Sequence, residues 1–258
     1  MKLALYHSEC AVDNEGQRAN LEGVLARGLP TCVELPERAG RLAICGSGPS
    51  LRDYLHELKD YDEVWAVNGA YHYLLDNGIV PNFMGVDPVP GLAEYITPAH
   101  KDSTFLIAAV CDPSVFDALE GHKVKIWFPN TSLKYPVGSW RIPGTTTAMS
   151  CAPFLAKLEG WRDVVFYGTD CSYSEDGWYA YGQRYKEDNT RPLNEIWVEG
   201  KPFLTDVQMA KQCVVLADLS NWGRIKMEFR CGGLLRAHLD APYRILPDDA
   251  ELVNADQA

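Results

Sequence analysis

The sequence predicts an α/β fold, a mostly parallel sheet with helices on both faces. Short, mostly apolar runs recur from residue 41 onward, at Leu42–Cys45, Val64–Val67, Phe83–Val86, Phe105–Val110, Val124–Phe128, Val164–Tyr167 and Ile225–Phe229. Runs of this length and composition read as strands buried on both faces. Helical periodicity falls between several of them, most clearly over Leu51–Lys59, Ala70–Asn77, Thr146–Glu159 and Asp206–Asn221. Strands that alternate with helices need crossover connections, which gives parallel pairing under a helical cover. In such sheets ligands sit beyond the carboxyl ends of the strands. The residues that follow each apolar run are therefore the candidate site.

Length and composition bound the rest. The chain has 258 residues, 47% of them hydrophobic, enough for one large core. The predicted division is an N-terminal extension at 1–40 packed on the core, the main domain at 41–240 and a peripheral tail at 241–258. Within the extension, Leu3 and Leu5 suit a strand, Asn20–Arg27 suits one or two helical turns, and His7 is a lone histidine with no partner pattern. The net charge of -11 argues against non-specific nucleic-acid binding, which needs a basic surface. Apolar runs fall short of membrane-spanning length, and the first residues lack the pattern of a secretory leader. The eight cysteines form no C-x-x-C pair, so reduced thiols in a cytoplasmic protein are expected. Cys45 and Cys151, in small or apolar surroundings, read as small hydrophobes.

The segment Gly46-Ser47-Gly48-Pro49-Ser50 lies between the first strand and the first helix. Its glycines permit a tight turn and close approach of another molecule. Pro49 suits the first helical position, where its missing N–H costs nothing. Unpaired amides at a helix start suit a phosphate. Asn68-Gly69 follows the second run, and Asp87 the third, where a carboxylate can meet a metal or a hydroxyl. Gly144-Thr145-Thr146 is a second glycine-hydroxyl helix start, capped by Thr145 or Thr146, with Arg141 upstream as a planar donor. Asp170 follows the sixth run and is succeeded by Tyr173, Trp178, Tyr179 and Tyr181, rings on which a flat acceptor can stack. Asp87 and Asp170 together suit Mg²⁺ and a nucleotide's phosphates.

These motifs carry a resemblance. Ala43-Ile-Cys-Gly-Ser-Gly-Pro-Ser-Leu51, then Val67-Asn-Gly-Ala with Asn77 to Asp87, then Gly168-Thr-Asp-Cys-Ser-Tyr-Ser-Glu-Asp-Gly-Trp-Tyr-Ala180 are similar in order and spacing to the three motifs of the 6-hydroxymethylpterin diphosphokinase (MptE-like) domain family, which flagellin motility accessory factors share. The resemblance spans roughly residues 41–235. It implies a Rossmann-like fold, a bound nucleotide, and transfer of diphosphate from ATP to the hydroxymethyl group of a pterin with Mg²⁺.

The same segments also resemble a family of bacterial sialyltransferases that use CMP-activated sugars, in which Gly46–Leu51, Asn68 and Gly144–Thr146 match nucleotide-binding positions. Those enzymes carry a catalytic His shortly before a Thr-Asp that opens the late helix. That pair resembles Thr205-Asp206 here, and the place of the His is held by Lys201, a protonated and poor base at neutral pH.

Residues 183–204 interleave Arg184, Lys186, Arg191 and Lys201 with Tyr185, Trp197 and Phe203, and read as a lid. The expected function is a nucleotide-dependent transferase acting on small molecules, with diphosphate transfer from ATP placed first. In that reading Asp170, Asp87 and Arg141 are catalytic, Gly46 to Ser50, Asn68, Gly69 and Gly144 to Thr146 hold the nucleotide, and Tyr173, Trp178, Tyr179 and Lys201 hold the acceptor. Sugar transfer and a nucleotide-binding module without catalysis are the alternatives.

Overall fold

The computed structural model describes residues 11–143, 147–174 and 193–240. Every strand of the expected series is present. The chain runs α1 (Asn14–Leu25), β1 (Leu42–Cys45), α2 (Leu51–Tyr54), β2 (Glu63–Val67), α3 (Ala70–Asp76), β3 (Asn82–Gly85), β4 (Thr104–Ala108), α4 (Pro113–Asp117), β5 (Lys123–Pro129), β6 (Arg141–Ile142), α5 (Ala148–Leu158), β7 (Asp163–Tyr167), β8 (Asn194–Val198), β9 (Lys201–Thr205), α6 (Val207–Leu219), β10 (Lys226–Arg230) and α7 (Gly233–Asp240). Eight strands form one sheet in the order β10-β7-β1-β2-β3-β4-β5-β6, with every pairing parallel. The architecture is α/β and Rossmann-like.

The order explains how the site is placed. From β1 to β6 the chain steps steadily one way, then returns through α5 to set β7 on the other side of β1. Right-handed crossovers put helices of the outward and return runs on opposite faces, and α1 accordingly packs with α4 while α5 packs with α6. The strand order reverses between β1 and β7, and in open parallel sheets ligands bind at such a point, beyond the carboxyl ends. The central strands β1 and β7 are buried along nearly their whole length, which is why both are continuous apolar runs. Leu21, Val24 and Cys32 join the same hydrophobic core, so the extension from residue 11 packs on the sheet.

Several boundaries differ from expectation for local reasons. The Leu51–Lys59 helix is one α-turn followed by a 3-10 segment, Leu55–Asp60. Pro49 is not its first residue; Ser50 is the N-cap position. The helix expected over Thr146–Glu159 starts at Ala148, capped by Thr147 in a reciprocal pair with Ser150. The predicted turn over Asn20–Arg27 is the second half of α1, which begins at Asn14 behind an Asp13 cap. Strand β6 escaped the pattern search because it has two residues, one of them an exposed arginine. Of the predicted lid, residues 183–192 lie outside the described residues. The rest is an antiparallel hairpin, β8–β9, whose tip, Glu199-Gly200, has φ of 48° and 77°. Two residues with positive φ make the type I′ geometry that joins twisted strands. Alternation of buried Ile196 and Val198 with exposed Glu195 and Trp197 was the available signal. The strand expected at Leu3–Leu5, the His7 position and the tail at 241–258 also lie outside the described residues.

Candidate functional site

The ends of β1, β2, β3 and β7 bring their following residues to one edge of the sheet. Asp170 meets the β1 turn directly. Its Oδ2 accepts from Ser50 Oγ at 2.8 Å and from the Ser50 amide at 3.4 Å, and its Oδ1 accepts from the Gly232 amide at 3.1 Å. Asp170 is buried. Burial pushes its pKa up, against the hydrogen bonds from Ser50 and Gly232 that favour the carboxylate.

In the β1 turn several backbone amides are taken up within the protein. The Gly46 amide donates to Tyr167 O at 2.8 Å, the Gly48 amide to Gly168 O at 2.8 Å, and the Leu51 amide to Gly48 O at 3.0 Å. With the Ser50 amide on Asp170, four amides of the turn and the helix start, those of Gly46, Gly48, Ser50 and Leu51, bond within the protein. The glycines serve the same packing. A Cβ at Gly46 would lie 2.7 Å from Gly168 O and 2.9 Å from Met149 Cε; one at Gly48 would lie 2.6 Å from Gly168 O and would collide with Asp170 Oδ2. Backbone of Gly168, just past β7, makes a close approach to both glycines. Pro49 is buried, and Ser47 and Gly48 are the partly exposed members of the turn.

Asn68 and Asp87 form a second group. Asn68 closes β2 with φ of 49°, a left-handed conformation that asparagine tolerates. Its Nδ2 donates to Asp87 Oδ2 at 3.4 Å. Its Oδ1 is buried and meets no donor among the described residues. Gly69 follows as the residue before α3. Asp87 is half-buried just past β3. Burial raises the thiols of Cys111 and Cys151, the latter to about 12, and in both the charge of Asp87 adds to the effect. Asp87 therefore stands near the end of β4 and the first turns of α5.

The remaining predicted residues divide. Gly144, Thr145, Thr146, Trp178 and Tyr179 lie outside the described residues. Arg141 sits on the far edge strand, its guanidinium 5.3 Å above the Tyr135 ring, five strands or about 24 Å from β1. Tyr173 is buried, and its hydroxyl donates to Asp206 Oδ2 at 2.8 Å; it fastens the start of α6 and presents no open ring for stacking. Asp206 caps α6 by accepting from the Met209 amide. Thr205 Oγ1 donates to Cys171 O at 2.8 Å. Lys201 is exposed at the hairpin tip, four residues or about 13 Å along β9 from Thr205.

Mg²⁺ was expected between Asp87 and Asp170. Asp170 fits a metal less well than Asp87, because it is buried and both of its oxygens already accept from protein donors. Asp87 fits, since Mg²⁺ is held by one or two carboxylates together with substrate phosphates. Among the described residues no group of three or more His, Cys, Asp or Glu could hold a metal ion.

A parallel sheet with polar residues gathered at its switch point defines a Rossmann-like protein. The model of the family described as 6-hydroxymethylpterin diphosphokinase MptE-like matches residues 26–176. That match takes in more than half of the chain, with the first two motifs and the third as far as residue 176, and the chain belongs to the MptE-like family. No curated protein matches the sequence. Among solved structures the chain is similar to the MAf glycosyltransferase from Magnetospirillum magneticum AMB-1, with a TM-score of 0.67 and 18% identity over 85% of this chain and 36% of that one. At that identity the likeness is one of fold, and this chain spans about a third of the length of that protein. The family description, a diphosphokinase, is that of a transferase. No helix among the described residues is long and apolar enough to cross a membrane.

Proposed function

We propose that the chain is a nucleotide-dependent transferase that moves a sugar from a nucleotide-activated donor to a hydroxyl acceptor, with the nucleotide seated over Asn68 and Asp87. The Asn68–Asp87 pair carries this reading. A carboxylate accepts hydrogen bonds, so it turns the amide nitrogen of Asn68 toward itself and the amide oxygen away. That oxygen is buried and meets no donor among the described residues. An unsatisfied buried acceptor costs roughly 1–3 kcal/mol, and a ribose hydroxyl or a base amine would supply the missing donor. In the transfer step the acceptor oxygen bonds to the anomeric carbon as the bond from that carbon to the phosphate oxygen breaks. The acceptor proton goes to Asp87, and the nucleotide leaves with its phosphate.

Diphosphate transfer from ATP, the activity in the family description, is the second reading, and the position of Asp87 favours it. Mg²⁺ held by Asp87 and the donor's phosphates would offset their charge. Sugar transfer stands first because the amides of the β1 turn and both oxygens of Asp170 are engaged internally, which leaves few fixed donors there for a polyphosphate.

Thermal shifts with CMP, UDP, ATP and CMP- or UDP-sugars, each with Mg²⁺ or with EDTA, test the proposal. Stabilisation by a nucleotide sugar in EDTA, lost in Asn68→Ala, is expected. AMP released from ATP only with Mg²⁺ would promote the second reading. No shift with any nucleotide would overturn both.

A further inference from the structure

We propose that Asp170 is a positioning residue, a buried clasp that sets the Ser47–Gly48 part of the β1 turn against the crevice, and not a metal ligand. The placement of Ser47–Gly48 beside a nucleotide rests on the function proposed above; the clasp does not.

Three turns meet at this carboxylate. Ser50 binds it from the β1 turn and Gly232 from the β10 turn, while Asp170 itself belongs to the β7 turn. The backbone repeats the connection. Asp170 O accepts from the Leu235 amide at 3.1 Å, and Ser172 Oγ accepts from the Leu234 amide at 3.0 Å. Asp170 and Ser172 thus take up first-turn amides of α7, which a helix cannot satisfy alone. Glycine is required on both flanks. A Cβ at Gly232 would lie 3.0 Å from Asp170 Oδ1, and one at Gly233, where φ is +60°, would lie 2.6 Å from Asp170 O. Gly168, Asp170 and Ser172 are therefore occupied with holding their neighbours.

The geometry separates a clasp from a ligand. Ser50 and Gly232 fix both oxygens through protein donors in a buried setting, whereas a metal ligand needs a lone pair facing the cation. A clasp acts through Ser50, so removing either partner should have one shared effect. Ser50→Ala deletes a single hydroxyl and Asp170→Asn keeps the side-chain size, so the pair forms a double-mutant cycle.

The cycle is read in two ways. By urea unfolding without ligand, each single variant should be destabilised and the double variant little more than the worse single one. Additive losses would overturn the clasp, and this arm stands even if no nucleotide binds. By calorimetry and kinetics with the nucleotide that stabilises the wild type, each variant should weaken binding or raise KM by about tenfold, with kcat less affected. The Mg²⁺ concentration giving half of any metal effect should match the wild type. A shift of that concentration in Asp170→Asn, without one in Ser50→Ala, would show Asp170 to be a metal ligand and overturn the proposal. If Asp170→Asn fails to fold, Ser50→Ala against Ser50→Thr keeps the test open: the hydroxyl of Thr should restore binding and stability, and an equal loss in both would overturn the clasp.

Discussion

Ser50 Oγ donates to Asp170 Oδ2 at 2.8 Å across 120 positions of sequence. The contact joins two motifs that each read as a ligand site when taken alone. Together they satisfy one another, whereas Asn68 Oδ1, two strand ends away from Asp170, is buried and meets no donor among the described residues.

Gly48→Ala should damage folding itself. The new methyl would stand 2.6 Å from Gly168 O and against Asp170, and backbone cannot swing aside as a side chain can. A loss of about 1–3 kcal/mol is expected, as for other overpacked sites. Urea unfolding measures it. An unchanged midpoint with weakened nucleotide binding would instead restore the phosphate-cradle role for this glycine.

Asn68 separates backbone from side-chain effects. Its φ of 49° is easy for glycine and strained for alanine. Asn68→Gly should fold about as well as the wild type and lose nucleotide binding. Asn68→Ala should lose binding and also about 1 kcal/mol of stability. Melting and calorimetry on the two variants distinguish these outcomes, and binding retained in Asn68→Gly would remove Asn68 from the site.

Asp170 should leave a mark on the pH dependence of stability. Burial lifts its folded pKa above the ordinary 3.8, with the Ser50 and Gly232 hydrogen bonds opposing. The folded state therefore holds the proton more tightly than the unfolded chain. The stabilisation is complete below the unfolded pKa and is lost as pH rises through the folded value. Asp170→Asn does not titrate. Its stability relative to the wild type should therefore improve as pH rises from about 4, read from urea midpoints in a pH series. A gap that widens against the variant over that range would contradict the raised value.

Thr147→Ala should weaken the start of α5. The Thr147 hydroxyl accepts from the Ser150 amide at 3.2 Å, and Ser150 Oγ answers from the other side. Loss of such a cap costs about 1 kcal/mol, visible as a lowered melting temperature. Thr147→Ser should recover most of it.

The seven cysteines among the described residues are all buried and unpaired. Burial drives the thiols of Cys45 and Cys32 well above the ordinary range, and that of Cys231 to about 11. In a Cys10→Ser variant the native protein should react with a thiol reagent only slowly near neutral pH, and all seven should react at once in denaturant. A fast native phase would show that one of them reaches solvent.

The sequence by itself determined the class of fold. A strand covered on both faces must be apolar along its length, so β1, β2, β3, β4 and β7 announced themselves locally, while β5 showed through its buried second half and the edge strand β10 through Ile225, Met227 and Phe229 alternating with charges. Parallel pairing followed from the helices between them. Their carboxyl ends, and hence Asn68, Asp87 and Asp170, were legible for the same reason. The β8–β9 hairpin was less so, because one of its faces is exposed and its charges read as loop. What Asp170 and the glycines do was decided only by tertiary structure. Glycine in Gly46-Ser-Gly48 allows close approach by a phosphate or by backbone, and nothing within five residues says which. Strand order set β7 beside β1, brought Gly168 O onto the Gly48 amide and placed Asp170 over Ser50. An amide already bonded to a carbonyl is not available to a ligand, and only contact between distant segments determines which amides those are.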